Sequence, residues 1–185
     1  MTNPDLAGRL LVAAPALADP NFARSVVLIL EHNDDGALGV VINRVTAVPV
    51  GEVLPAWSSL ASRPGVLFKG GPVGLDSALG LGQTEEHAGL IGWRPLRGAL
   101  GLIDLDTPPE LMADVLGALR IFAGYSGWGT GQLEFEIDEG SWFVVEATPA
   151  DAFTTEPDGL WRSVLRRQLG ELAMVSTFPD DPSLN

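Results

Sequence analysis

Short apolar runs, each cut off by glycine, proline or a cluster of Asn and Asp, set the rhythm of this chain. Leu10-Leu11-Val12-Ala13 ends just before Pro15, and Ser25-Val26-Val27-Leu28-Ile29-Leu30-Glu31 is a longer β-branched run. Both predict strands. Between them, Ala18 to Arg24 reads as a turn with one apolar anchor, Phe22, and with Asp19 placed to hydrogen-bond nearby backbone. Asn33-Asp34-Asp35-Gly36 separates the second run from Ala37 to Asn43, which is a hairpin signature. Val66 to Lys69 predicts a strand ended by Gly70-Gly71-Pro72-Val73-Gly74, because Gly-Gly-Pro favours a tight turn over a ladder. Ser77 to Gly82, Gly98 to Asp104 and Ser141 to Ala147 also read as strands. Gln83 to Arg97, rich in glycine and charge, reads as an exposed connection.

Helical spacing is rarer. Val50 to Pro55 predicts one short helix, followed by a breaker-rich surface connection from Ser58 to Pro64. Thr107-Pro108-Pro109-Glu110 carries a threonine N-cap, early prolines and a glutamate at N3, with Leu111, Val115, Leu116 and Leu119 as the apolar face. Leu160, Trp161, Val164, Leu165 and Leu169 form a second stripe closed by Gly170. Residues 131–139 fit two periods: Leu133, Phe135 and Ile137 alternate as in a strand, while Leu133 and Ile137 also share a helical face. Strands grouped as hairpins rather than in βαβ alternation place the chain in the α+β class. A single compact domain over 1–185 is expected, with a mostly antiparallel or barrel-like sheet, flanking helices, and frayed ends at 1–8 and 178–185.

The least ordinary stretch runs from Ala123 to Glu134, where four glycines fall within eight positions around Trp128. Such density suits a backbone needing positive φ or close approach, and predicts a strand from Arg120 to Gly124 feeding a glycine loop. Trp128, with few covering neighbours, is expected to lie partly exposed at a pocket rim. Gly127-Trp128-Gly129-Thr130-Gly131 between a strand and a helix invites a phosphate-binding reading. It departs from the dinucleotide fingerprint, since Gln132 stands where the third glycine belongs, and it lacks the lysine of a P-loop. Ser126 is no nucleophile elbow, because Trp128 occupies the required glycine position.

Composition narrows the chemistry. The 185 residues contain no cysteine, which removes disulfides, thiol nucleophiles and cysteine-ligated metal. His32 and His87 are the sole histidines and match no metal-binding spacing, so neither metal nor other cofactor is expected. A net charge of −13 opposes nucleic acid, and no apolar run reaches the length that crosses a bilayer. Met1 to Leu6 lacks a signal-peptide pattern, which makes the cytoplasm the expected compartment. Among single residues, His32 lies between Glu31 and Asn33, a setting for proton transfer, metal binding or a plain strand end at the surface. Arg44 offers a planar fork to an anion or to a structural carboxylate. Gln132 and Glu134 sit where they cap the loop or helix rather than act as acid or base.

Asp19-Pro20 with Phe22 and Arg24, Glu31-His32-Asn33, Gly39 to Arg44, Gly70 to Val73, Trp128 to Glu134 and the Trp161 helix occur in an order that resembles the YqgE/AlgH family of small bacterial proteins. The resemblance implies a strongly curved, barrel-like sheet, a helix over 131–139, no established catalytic residues, and a link to transcriptional regulation of exopolysaccharide. Two departures stand out: Val45 replaces the proline usual after Asn-Arg, and Gly80-Leu81-Gly82 replaces a more hydrophobic, histidine-ended strand. The leading expectation is a non-enzymatic cytosolic binding or regulatory module that contacts a protein or small ligand through Arg24, His32, Asn43, Arg44, Gly70, Gly71, Trp128, Gln132 and Glu134. The alternative is an enzyme or nucleotide-binding protein with a cleft joining His32, Arg44 and the Gly127–Glu134 loop.

The charge balance yields a first prediction. Pure protein is expected to leave duplex DNA unshifted at physiological salt. A sub-micromolar, salt-sensitive shift would contradict it.

Overall fold

The computed structural model describes residues 4–181. Its strands are β1 (Leu10–Ala13), β2 (Val26–Asn33), β3 (Gly36–Val41), β4 (Val45–Pro49), β5 (Val66–Lys69), β6 (Val73–Gln83), β7 (Trp93–Arg97), β8 (Leu100–Ile103), β9 (Ala118–Gly129) and β10 (Trp142–Val145). They form one ten-stranded sheet in the order β10-β1-β2-β3-β9-β6-β8-β7, with β5 joined to β9 and β4 to β5. Pairing is antiparallel except between β5 and β9. The sheet curls into a half-barrel. The curl brings side chains of distant strands together: Arg94 of β7 reaches Glu31 of β2 at 2.7 Å, and Arg97 donates to the Ala7 carbonyl at 3.5 Å.

Helices are α1 (Val50–Val53), α2 (Gln132–Asp138), α3 (Pro149–Ala152), α4 (Leu160–Arg166) and α5 (Glu171–Val175). Strand alternation explains where they dock. Leu10 and Val12 face one side, with Val26, Leu28, Val40 and the α4 residues Trp161, Val164 and Leu165. Leu11 and Ala13 face the other, with Val27, Ile29, Val41, Trp128 and Leu133 of α2. Covered on both faces, β1 is buried at every position, which is why it reads as a continuous apolar run. A third cluster packs Val50, Trp57, Ile103, Met112 and Ile121.

β9 holds this arrangement together. Its first half pairs with β6 and β5, and its last four residues, Ser126 to Gly129, pair with β3. The glycine-rich stretch is thus strand rather than loop, with Gly131 (φ +70°) turning the chain into α2. At the change of partner, Gly70 donates to the Ala123 carbonyl at 2.9 Å and accepts from the Val41 N–H at 2.8 Å. The backbones approach so closely that a Cβ on Gly70 would overlap the Gly124 carbonyl oxygen, and one on Gly71 the Tyr125 carbonyl. Gly124 itself has φ +73°, and a Cβ there would stand 2.8 Å from the carbonyl oxygens of Gly71 and Val73. The Ser126 hydroxyl seals the crossing by donating to the Gly70 carbonyl at 3.0 Å.

Elsewhere the sequence expectation fails for tertiary reasons. The helix expected from Thr107 is a single 3-10 turn at Pro109–Leu111 with no side-chain cap. Met112 is drawn into the third cluster, Gly117 bonds to the Gln83 carbonyl at 2.8 Å, and Leu119 already belongs to β9. Within the segment expected as a connection, Trp93 to Arg97 is β7, paired along β8. Residues 1–3 and 182–185 lie outside the described residues. Of the described ends, Gly8 donates to the Ile29 carbonyl at 2.7 Å and Pro179 accepts from Arg24.

Arg120 is a buried charge that pattern reading passes over. Only 1% exposed, it donates to the carbonyls of Ala152, Thr154 and Arg63 and lies 4.1 Å over the Phe68 ring. Burial lowers its pKa to about 10, so it remains charged at neutral pH. Carbonyl dipoles and a ring face thus stand in for a carboxylate, and tie residues 63 and 152–154 to β9.

Crowding at the crossing is separable from backbone strain. Gly140 also has positive φ (+85°) but open space around its missing Cβ. Gly140→Ala is expected to lose about 1–2 kcal/mol of unfolding free energy, and Gly124→Ala clearly more in the same denaturant titration. Equal losses would mean that the crossing is not crowded.

Candidate functional site

His32 sits one residue before the end of β2, and Glu134 lies in the first turn of α2. The hairpin and the β9–α2 turn bring them together at Nε2···Oε1 2.6 Å. His32 Nδ1 accepts the Leu6 N–H at 3.2 Å. An acceptor at Nδ1 leaves the proton of the neutral ring on Nε2, from which it is donated to the Glu134 carboxylate. The His32 side chain is 4% exposed and that of Glu134 28%. The residue read as a proton-transfer group, a metal ligand or a strand end at the surface is therefore a buried, doubly bonded ring.

The pair forms a wall between two hollows. One, of about 320 Å³, is lined by Asp5, Asn33, Asp34, Thr130 and Gly131 besides the pair itself. The other, of about 380 Å³, adds Leu6, Arg9, Ile137 and Val144. Among the described residues no lysine or arginine lines the first hollow, and three carboxylates, of Asp5, Asp34 and Glu134, do. Gln132 lies close by but is engaged: its Oε1 accepts from the Gly129 N–H at 3.0 Å and its Nε2 donates to Glu136 at 2.9 Å.

Trp128 is not at an exposed rim. It is 6% exposed and packs with Phe22 and Trp142 at centroid distances of 6.1 and 6.0 Å. Glycine neighbours do not leave it uncovered, because the cover comes from distant elements. One oxygen of Glu136, a residue the sequence reading missed, accepts both indole N–H groups, from Trp128 and Trp142, at 2.9 Å each. A signal for it existed in the spacing of Gln132 and Glu136, one helical turn apart.

The remaining nominated residues gather elsewhere. Asn43 accepts from the Val26 N–H and donates to the Arg24 carbonyl, both at 2.9 Å. Arg44 holds the turn before β2 by donating to the carbonyls of Pro20 at 2.8 Å and Ala23 at 2.7 Å, and burial lowers its pKa. Gly70 and Gly71 are spent on the β9 crossing. Asn43 binds Val26 while His32 lies six residues further along β2, roughly 20 Å at strand rise. The single cleft uniting His32, Arg44 and the Gly127–Glu134 segment therefore does not form: His32 and Glu134 converge, and Arg44 stands at the opposite end of the hairpin.

This architecture has relatives. The AlgH-like family model matches residues 10–173, and the chain belongs to that family. A UPF0301 protein of Streptomyces coelicolor is 62% identical, the match covering 97% of this chain and 95% of that one. One from Thermobifida fusca is 51% identical over 97% of this chain and 96% of its own length. A crystal structure from Corynebacterium diphtheriae superposes with a TM-score of 0.90 at 35% identity, covering 96% of this chain and 95% of that one. The solution structure of the AlgH protein from Pseudomonas aeruginosa superposes with a TM-score of 0.71 at 29% identity, covering 98% of both chains. No helix among the described residues is long and apolar enough to cross a membrane.

The packing of Trp128 makes a sharp prediction. Trp128→Ala is expected to cost about 3–5 kcal/mol in chemical denaturation, whereas Phe135→Ala, at an exposed position of the adjoining helix, should change stability by less than about 0.5 kcal/mol. Comparable stability of the two variants would contradict a buried Trp128.

Proposed function

We propose that this chain is a non-enzymatic binding module acting in the cytosol, and that its ligand site is the acidic hollow beside the His32–Glu134 pair. The observation that carries this reading is the engagement of both His32 ring nitrogens, one by Leu6 and one by Glu134. A general base needs a nitrogen within reach of the proton it removes. Here that nitrogen is committed to backbone, which favours a rigid recognition wall over a proton shuttle. Asp5, Asp34 and Glu134, with the amide of Asn33 and the hydroxyl of Thr130, suit a small ligand bearing an amine and hydroxyl groups. A net charge of −13 adds long-range attraction for such a cation. A regulatory role would follow from ligand-dependent contact with a protein. The surface around Asn43, Arg44, Gly70 and Gly71 supports this less, since Asn43 uses both its amide oxygen and nitrogen on backbone and Arg44 both its Nη groups, whereas in the hollow Asn33 accepts from backbone through Oδ1 and Thr130 donates its hydroxyl.

A thermal-shift screen of diamines, amino sugars, nucleotides and dicarboxylates tests the reading. Amine-bearing compounds are expected to raise the melting temperature, with unchanged compound recovered afterwards, and Asp34→Asn to abolish the shift. Stabilisation by anions alone, or recovery of a chemically altered compound, would overturn it.

A further inference from the structure

Arg24 is the one described non-glycine residue at positive φ (+58°), a conformation uncommon for a long side chain. It carries its guanidinium 4.1 Å over the ring of Trp161. Arg162, next to that tryptophan in α4, holds its own guanidinium 5.6 Å from the same ring. Two like charges thus share one indole. Burial lowers the Arg24 pKa, the nearby charge of Arg162 lowers it further, and Asp180 opposes both. In a chain with 24 acidic and 11 basic residues, such a concentration of cations calls for an anion.

The anion present is the chain's own end. Arg24 donates to the Pro179 carbonyl at 2.5 Å, and Arg162 donates to Asp180 Oδ1 at 2.6 Å and to the Ser176 carbonyl at 2.5 Å. A backbone carbonyl and the carboxylate of the next residue are read by two arginines, which is recognition of a peptide rather than of a bare anion. The hold is loose: the Asp180 side chain is 88% exposed, and exposed ion pairs contribute little. Arg24 also holds its Nη1 buried and without a hydrogen-bond partner among the described residues.

We infer that Arg24, Trp161 and Arg162 form a docking site for an acidic peptide segment of a partner protein, of the Pro-Asp type, which the chain's own Pro179–Asp180 occupies as a weak intramolecular competitor. Tethering presents the tail at an effective concentration in the millimolar range, so a partner segment gains access when the tail contact is weakened. This site lies apart from the His32–Glu134 hollow and stands or falls independently of it.

The test uses the full chain and a synthetic peptide of sequence Thr-Phe-Pro-Asp-Asp-Pro, followed by NMR at the arginine side chains. Wild-type protein should bind it weakly, and Asp180→Asn roughly threefold or more tightly, as release of an exposed ion pair allows. Adding Arg162→Gln to that variant should abolish binding while the far-UV circular dichroism is unchanged. If the double variant does not fold, Arg162→Lys replaces it, with binding expected to weaken because the planar fork is lost. The inference is overturned if Asp180→Asn gains no affinity, if a peptide with asparagine in place of both aspartates binds equally, if inorganic phosphate competes as well as the peptide, or if binding survives loss of the Arg162 guanidinium.

Discussion

Everything in this fold depends on the close passage of Gly70 and Gly71 against Gly124, Tyr125 and Ser126. A long strand that exchanges one set of partners for another needs a point where three backbones meet, and side chains there would hold them apart. Glycine removes that obstacle on both sides, and Gly70 spends both its N–H and its carbonyl on the junction. Because β9 leaves β6 and joins β3 at this point, Trp128 falls onto the face covered by α2. Glu134 then falls beside His32.

The polar groups drawn into this framework are mostly consumed by it. Arg44 and Asn43 close the turn before β2, Arg120 ties two connections to β9, and Glu136 clamps two tryptophans. Buried polar groups without partners are costly, so such networks hold the geometry fixed rather than leave it available for chemistry. Outside these networks lie the hollows astride His32–Glu134 and the arginine pair beside Trp161, on which Pro179 and Asp180 rest. One is acidic and the other basic, on a chain whose overall charge is strongly negative.

The strands from β1 to β3 and β5 were legible because each is an apolar run bounded by turn residues, and the hairpin because its spacer carries Asn, Asp and Gly. The helix over 132–138 followed from the family resemblance rather than from periodicity, which fitted both periods. The Thr107 segment misled because a capping pattern is local, while Met112 and Gly117 are committed to distant partners. The glycine-rich stretch misled for the opposite reason: glycine signals close approach, but a single sequence does not say whether a loop or a neighbouring strand makes it. Of the nominated residues, His32 and Glu134 share a site, whereas Trp128 and Arg44 were singled out for ligand contact and serve packing and turn closure. Trp128 is covered by Phe22 and Trp142, residues far from it along the chain. No local pattern reports that cover.

Amide hydrogen exchange tests the central role of the crossing most directly. The Gly70 and Val41 amides bond across the junction, at 2.9 Å to Ala123 and 2.8 Å to Gly70. If the junction organises the fold, both should exchange only through global unfolding, with the same opening free energy as core amides of β2 and the same dependence on denaturant. Exchange of either amide through local opening while β2 and β9 remain protected would show that the sheet holds without it.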